Sequence, residues 1–179
     1  MTGYFELFDL EQTFALDIDE LERRYLERSK VVHPDRFVTA ATARRVAALQ
    51  ESMQLNEAYK ILRKPVPRAE YLLAQNGLTI GHNEQLEPGF LMRVLQAREE
   101  LSEAKAAGDT TALARLEDEM TERRGEVVDG LADKWTAFEA SRDAAVLESI
   151  KRELILLRYL DRYLEQFEDE DEDEDEDDD

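Results

Sequence analysis

Residues 17–37 read DIDELERRYLERSKVVHPDRF, a helical pattern that stops abruptly at a proline. Asp17 and Glu20 have the three-residue spacing of a capping box, which marks the N-terminus of a helix. Because apolar residues recur behind this cap at helical spacing, the pattern predicts a helix over Ile18–Val32. Pro34 ends it, since the residue before a proline is pushed out of the α region.

Further helical patterns lie on both sides of this stretch. A short aromatic cluster at 4–8 predicts one or two helical turns before it, and a longer pattern predicts a helix over 40–62 after it. Pro65 and Pro67 are expected to end that helix, and a short helix is predicted over 68–75. The broad apolar side of the 40–62 helix comprises Val46, Leu49, Met53, Leu55, Ala58, Tyr59 and Leu62.

The second half of the chain predicts a separate helical unit. Residues 77–87 contain two glycines and several polar residues, which indicates a linker. Three long amphipathic patterns follow within 88–167, the first of them over 88–107, and helices of this kind with short connections form an antiparallel bundle. Trp135 and Phe138 are expected in its core. The predicted organisation is thus all-α, with domains at 1–76 and 88–167 and an acidic, disordered tail at 168–179.

Composition and charge exclude several classes of protein. The chain has 179 residues, 43 of them acidic and 23 basic, and its net charge is −20. The acidic run 168–179 carries twelve of these charges, so the remainder is only mildly acidic and has no basic excess for nucleic-acid binding. No apolar run is long enough for a membrane span, and no signal peptide is visible, so we expect a cytoplasmic protein. Without cysteine and with two histidines, neither a metal site nor a cofactor is expected.

The tripeptide His33-Pro34-Asp35 carries the functional argument. Because proline fixes its own backbone angle and restrains the residue before it, an imidazole and a carboxylate are held at the tip of a helical hairpin. A rigid polar tip can engage a partner with little ordering entropy. Basic residues near the tip can steer it toward an acidic groove. They are Arg23, Arg24, Arg28, Lys30 and Arg36.

The same basic residues have an ordinary structural interpretation. Asp19, Glu20, Glu22 and Glu27 are interspersed with them, which is also typical of a salt-bridged solvent face. The tripeptide itself could be only a turn, since proline and aspartate are common turn formers.

The tripeptide in its helical context, with Asn56-Glu57-Ala58-Tyr59-Lys60 on the following helix, closely resembles a J-domain, the helical module that stimulates the ATPase of DnaK-type chaperones. The motifs beyond it narrow the resemblance. Residues 68–73 read RAEYLL and residues 90–101 read FLMRVLQAREEL, which is similar to the HscB family of J-type co-chaperones in iron–sulfur cluster assembly. The match extends to about Phe167. It implies a J-domain, built from a helical hairpin with two short helices, joined to a three-helix bundle in an L shape.

The resemblance also implies partners and contact residues. The J-domain would recruit a dedicated DnaK-type ATPase, HscA, through the tripeptide and the basic residues, and the bundle would hold the cluster scaffold protein, IscU. The protein itself would not be an enzyme. The implied scaffold surface consists of Leu91, Met92, Leu95, Gln96, Glu99, Glu103 and Tyr159.

The residues themselves support an exposed apolar surface on the first bundle helix. Within 90–95, five of six residues are apolar, whereas one buried stripe needs about three or four per two turns. Some of them must therefore leave the bundle core, and an exposed apolar patch ringed by charges is typical of a partner site. Alternatively, part of the surplus packs against the J-domain.

Two other functions compete with the co-chaperone. A general acidic binding protein, similar to a histone chaperone, would use the tail and the bundle. An enzyme would use His33 and Asp35 as acid and base, but two residues that flank a proline do not easily converge on one reacting atom. No glycine-rich phosphate loop is present, so any ATP would belong to a partner.

Overall fold

The computed structural model describes residues 3–37, 40–81, 84 and 88–168, and within them all regular structure is helical. The chain divides into two compact units, Met1–Gly77 and Leu78–Asp179. The prediction of an all-α protein with a J-domain and a C-terminal helical bundle is confirmed. After a short 3-10 helix at Glu6–Phe8, the helices are α1 (Ile18–Val32), α2 (Thr42–Leu62), α3 (Pro65–Gln75), α4 (Pro88–Ala107), α5 (Thr110–Ser141) and α6 (Ala144–Glu168).

Helix α1 follows its capping signals, whereas α2 begins two residues later than predicted, without a side-chain cap, and α3 begins earlier than predicted. Helix α1 has the predicted bounds, and the Asp17 side chain accepts a hydrogen bond from the Glu20 backbone N–H at 3.1 Å. Helix α3 begins at Pro65, three residues earlier than expected, so the prediction that both prolines lie outside a helix was wrong. The first turn of a helix donates no backbone hydrogen bond, and it therefore accepts proline.

Helix α2 contributes only one stripe of residues to the core of the first unit. Ala48, Leu55, Ala58 and Leu62 are buried there. The expectation of a broad apolar side was only partly right, because Val46, Leu49 and Met53 are exposed. Since neighbouring helices cover one face of α2, apolar residues off that face remain in solvent.

Arg68 is a buried arginine near the start of α3, with only 7% of its surface exposed. Its Nη1 donates a hydrogen bond of 2.8 Å to the carbonyl of Leu62, one of the last carbonyls of α2 that have no partner inside the helix. Its guanidinium carbon lies 5.0 Å from the centre of the Phe14 ring, a cation–π arrangement. Burial lowers the pKa of this guanidinium. One side chain thus joins the end of α2, the start of α3 and the loop before α1.

The second unit is a bundle of three helices. Gly108, with a positive φ of 61°, ends α4, and the Asp109 side chain caps α5 by accepting from the Ala112 N–H at 3.0 Å. One core cluster contains Leu101, Ala104, Leu116 and Tyr163. Trp135 and Phe138 are buried as expected, and their rings meet edge to face at 5.7 Å. The tail beyond Glu168 and part of the expected linker, including His82, lie outside the described residues. In the part of the chain that is described, none of the helices combines the length and the hydropathy that crossing a bilayer requires.

We predict that Arg68→Met destabilises the first unit by about 1–3 kcal/mol, because it removes the hydrogen bond to Leu62 and the contact with Phe14. Urea unfolding can be followed through the methyl resonance of Met53 on α2, which reports on this unit alone. Arg45→Met, on the exposed side of α2, is the matched control and should unfold like the parent. Equal midpoints for the two variants would contradict the role given to Arg68.

Candidate functional site

The hairpin tip presents a polar pair next to the end of α1. His33 is the C-cap of α1, and a 3-10 turn at Pro34–Phe37 follows it. The backbone N–H of Asp35 donates a hydrogen bond of 3.3 Å to Nδ1 of His33. The Asp35 carboxylate lies 3.5 Å from the same nitrogen, and both side chains are exposed. The second ring nitrogen, Nε2, and the carboxylate are therefore available to a partner.

Two of the predicted basic residues lie beside this pair. Arg36 Nη1 donates a hydrogen bond of 2.8 Å to the Lys30 carbonyl, which fastens the turn to the last turn of α1. The Lys30 side chain is exposed and makes no ion pair with any of the described residues. Its ammonium group is therefore available to a partner.

The other basic residues of α1 are already engaged. Arg23 pairs with Glu20 at 2.7 Å and with Glu27 at 2.9 Å along the helix surface. The hydrogen bonds that Arg23 and then Arg24 donate to Glu20 hold the pKa of that carboxyl below its usual range. The sequence left open whether these basic residues form a salt-bridged solvent face. Arg23 does lie in such a face.

Arg24 and Arg28 bind the segment that precedes α1. Arg24 Nη1 donates to the carbonyls of Phe8 at 2.7 Å and of Asp9 at 2.5 Å, where the short 3-10 helix ends. Arg28 pairs with the Asp9 side chain. Arg24 also lies about 9 Å along the helix axis from Lys30. The structure thus groups His33, Asp35, Lys30 and Arg36 at the tip and places Arg24 and Arg28 in a structural contact.

We predict that Arg24→Gln lowers the free energy of unfolding of the first unit by about 1–2 kcal/mol, because two backbone carbonyls lose their donor. Arg23→Gln should change stability little, since Arg23 is exposed and pairs only with carboxylates of its own helix surface. Urea unfolding read at the Met53 methyl resonance measures both. If Arg23→Gln were the more destabilising change, the division of roles between these neighbours would be wrong.

Six of the seven predicted scaffold residues share the outer face of α4. The exposed fractions of Leu91, Met92 and Leu95 are 45%, 66% and 51%. Leu91, Leu95, Glu99 and Glu103 recur every four residues and form one ridge, with Met92 and Gln96 beside it. The first two turns of this face are apolar and the next two are acidic. The expected surplus of apolar residues therefore does leave the bundle core.

Tyr159, the seventh residue, lies elsewhere. It is half-buried on α6, and its ring meets the Phe90 ring edge to face at 6.2 Å. Phe90 belongs to the inner side of α4, which continues through Val94 and Ala97 to the buried Leu101. The structure thus brings Tyr159 to the bundle side of α4 and not to the outer face.

The sequence reasoning missed a groove of about 290 Å³ on that bundle side, between α4, α5 and α6. Its lining includes Phe90, Tyr159, Arg93, Arg98 and Arg123. Arg93 and Arg98 flank the apolar inner stripe of α4 in a unit rich in carboxylates, and this pattern was the signal for the groove in the sequence. Arg123 lies on α5, so its place beside them follows only from the packing of the helices.

Known proteins resemble the chain in both units. Residues 86–168 match the family model described as the HSCB C-terminal oligomerisation domain. The co-chaperone protein HscB homolog of Burkholderia cenocepacia is 40% identical over 161 residues, which are 85% of this chain and 91% of that protein. A homolog from Vibrio vulnificus is 43% identical over 118 residues, 64% of this chain and 69% of that protein.

Solved structures agree with these relatives. The crystal structure of human co-chaperone protein HscB matches with a TM-score of 0.81 at 27% identity and covers 94% of this chain and 82% of that one. Chaperone HscB from Vibrio cholerae matches with a TM-score of 0.69 at 32% identity, over 92% and 99%. A hairpin with a histidine–proline–aspartate tip, followed by a three-helix bundle, defines a J-domain co-chaperone. The chain belongs to the HscB family, which confirms the resemblance stated from its motifs.

Proposed function

We propose that this protein stimulates the ATPase of a DnaK-type chaperone, HscA, and delivers to it the iron–sulfur scaffold protein, IscU, in the cytoplasm. The J-domain tip would contact the chaperone, and the outer face of α4 would hold the scaffold. ATP hydrolysis would take place on the chaperone, so this chain would act by binding and not as an enzyme.

One observation carries the proposal. Three large apolar side chains, Leu91, Met92 and Leu95, stand together in solvent on α4, and no other large apolar side chain among the described residues of the second unit is exposed. Exposed patches of this kind mark surfaces that a partner covers. The acidic turns that follow at Glu99 and Glu103 favour a partner whose own apolar contact lies beside basic residues. Membership of the HscB family supports the choice of the scaffold protein as that partner.

The chaperone contact is supported by the chemistry of the hairpin tip. His33 and Asp35 are exposed and held by the local hydrogen bond between them, so they would be ordered before the partner arrives. Lys30 and Arg36 add positive charge beside them, which favours an acidic groove on the chaperone. We assign Arg23 a weaker part in this contact, because its charge is shared with Glu20 and Glu27.

We predict that His33→Gln abolishes most of the stimulation of the chaperone ATPase, because glutamine does not reproduce the imidazole that Asp35 orients. Steady-state ATP hydrolysis by HscA, with and without this protein and the scaffold, measures the effect. His82→Gln, the change at the other histidine, is the matched control and should stimulate like the parent. Full stimulation by His33→Gln would overturn the chaperone contact and leave the scaffold contact standing.

We predict that Leu91→Ala combined with Leu95→Ala weakens scaffold binding at least tenfold, since each change removes about 1 kcal/mol of apolar burial at the interface. Titration calorimetry with IscU measures the affinity. Leu26→Ala combined with Leu49→Ala removes two equally exposed leucines from the first unit and should leave that affinity unchanged. Equal affinities for the two double variants would remove α4 from the scaffold surface.

A truncation tests the competing acidic binding protein. A chain that ends at Phe167 lacks the acidic run but keeps the tip and the outer face of α4. We expect it to stimulate the ATPase and bind the scaffold as the full chain does. Loss of scaffold binding would instead favour a function that depends on the tail.

A further inference from the structure

The groove on the bundle side of α4 has an apolar interior. Val94 and Ala97 of α4, Met120 of α5, and Leu156 and Leu160 of α6 contribute to it. Its volume of about 290 Å³ lies at the lower end of the range for small-molecule sites. The groove lies wholly within the second unit, and Leu91, Met92 and Leu95 are not among its lining residues. An occupant of the groove would therefore not need to cover the proposed scaffold surface.

The most exposed residues that line the groove are three arginines: Arg93, Arg98 and Arg123. They stand at its edge, because the remaining lining residues are half-buried or buried. Arg123 pairs with Glu126 at 2.7 Å, whereas Arg93 and Arg98 make no ion pair with any residue that the structure describes. Arg93 instead lies over the Phe90 ring, 5.7 Å from its centre.

The positive charge at this edge contrasts with the rest of the bundle. Residues 84–167 contain 19 acidic and 12 basic side chains, yet none of the described lining residues is acidic. Arg115, Arg123 and Arg124 of this unit pair with carboxylates, whereas Arg93 and Arg98 stand at an apolar opening whose described lining offers none. A guanidinium binds a carboxylate in a bidentate geometry, which neither lysine nor a neutral side chain matches.

The groove offers few other polar contacts. The Tyr163 hydroxyl already donates to the Ala97 carbonyl at 3.2 Å, and burial raises the pKa of that hydroxyl. A sugar or a nucleobase would therefore find few groups for its hydrogen bonds. A molecule with a single apolar chain and one terminal anion would use both the apolar interior and the arginines at the edge.

We propose that this groove is a binding site for an amphipathic monocarboxylate of the fatty-acid class. Its alkyl chain would lie against Val94, Met120 and Leu156, and its carboxylate would bind Arg93 and Arg98. The site uses neither the hairpin tip nor the outer face of α4, although Tyr159, one of the residues that the family resemblance implies in scaffold binding, lines it.

Titration calorimetry of the full-length protein with decanoate tests the site. We expect saturable binding of one decanoate per chain, and at least tenfold weaker binding of decanol and of decyltrimethylammonium. Arg93→Gln combined with Arg98→Gln should weaken decanoate binding at least tenfold. Arg45→Gln combined with Arg152→Gln changes the net charge equally, at exposed positions that do not line the groove, and should bind within twofold of the parent.

The methionines locate the ligand. In protein labelled at the methionine methyl groups, decanoate should shift the Met120 resonance, which reports on the groove, and leave those of Met92 and Met53 in place. Val94→Phe, which fills part of the groove, should reduce the Met120 shift. Absence of saturable binding, equal affinity for decyltrimethylammonium, an unchanged affinity in the arginine double variant, or a shift of Met92 in place of Met120 would each overturn the proposal. None of these outcomes depends on HscA or IscU.

Discussion

Helices α2 and α4 each bury only one stripe of side chains, and the exposed apolar surfaces of both units follow from that constraint. Helix α2 buries Leu55 and Leu62 and leaves Leu49 in solvent, although all three are leucines. Helix α4 carries more apolar residues than one stripe can hold, so Leu91 and Leu95 face outward. The surface that a partner would recognise is thus a product of helix geometry, since the excess apolar residues have no place in the core.

Backbone carbonyls at helix ends need hydrogen-bond donors from elsewhere, and arginines of the first unit supply them. Arg24, Arg36 and Arg68 each donate to a backbone carbonyl at or near a helix end. These carbonyls have no partner inside their helices, so a long side chain with several donors satisfies them at a distance. The sequence suggests that the five basic residues form one continuous partner surface. In the structure, Arg24 and Arg28 make structural contacts, and Lys30 and Arg36 lie beside the tip.

Local signals in the sequence predicted the bounds of the helices better than they predicted the contacts between helices. The bounds of α1 followed from Asp17 and Pro34, because a cap and a proline act on neighbouring residues. The start of α3 was misplaced, since a proline in the first helical turn looks like a helix breaker in the sequence. The surplus of apolar residues at the start of α4 was predictable from the sequence, and the family resemblance implied the residues of its outer face. The contact of Tyr159 with Phe90 and the arginine-edged groove depend on how three helices meet.

The first turns of α4 have a further consequence for motion. Its buried residues, Leu101 and Ala104, lie in the second half, while Phe90 and Val94 are only half-buried. Because little apolar surface holds these early turns to the bundle, their backbone amides should exchange with solvent through local openings, at a lower free energy than those of the later turns. The part of α4 that exposes Leu91 and Met92 is then also the part that can reorient most easily, so a partner could select its orientation without unfolding the bundle.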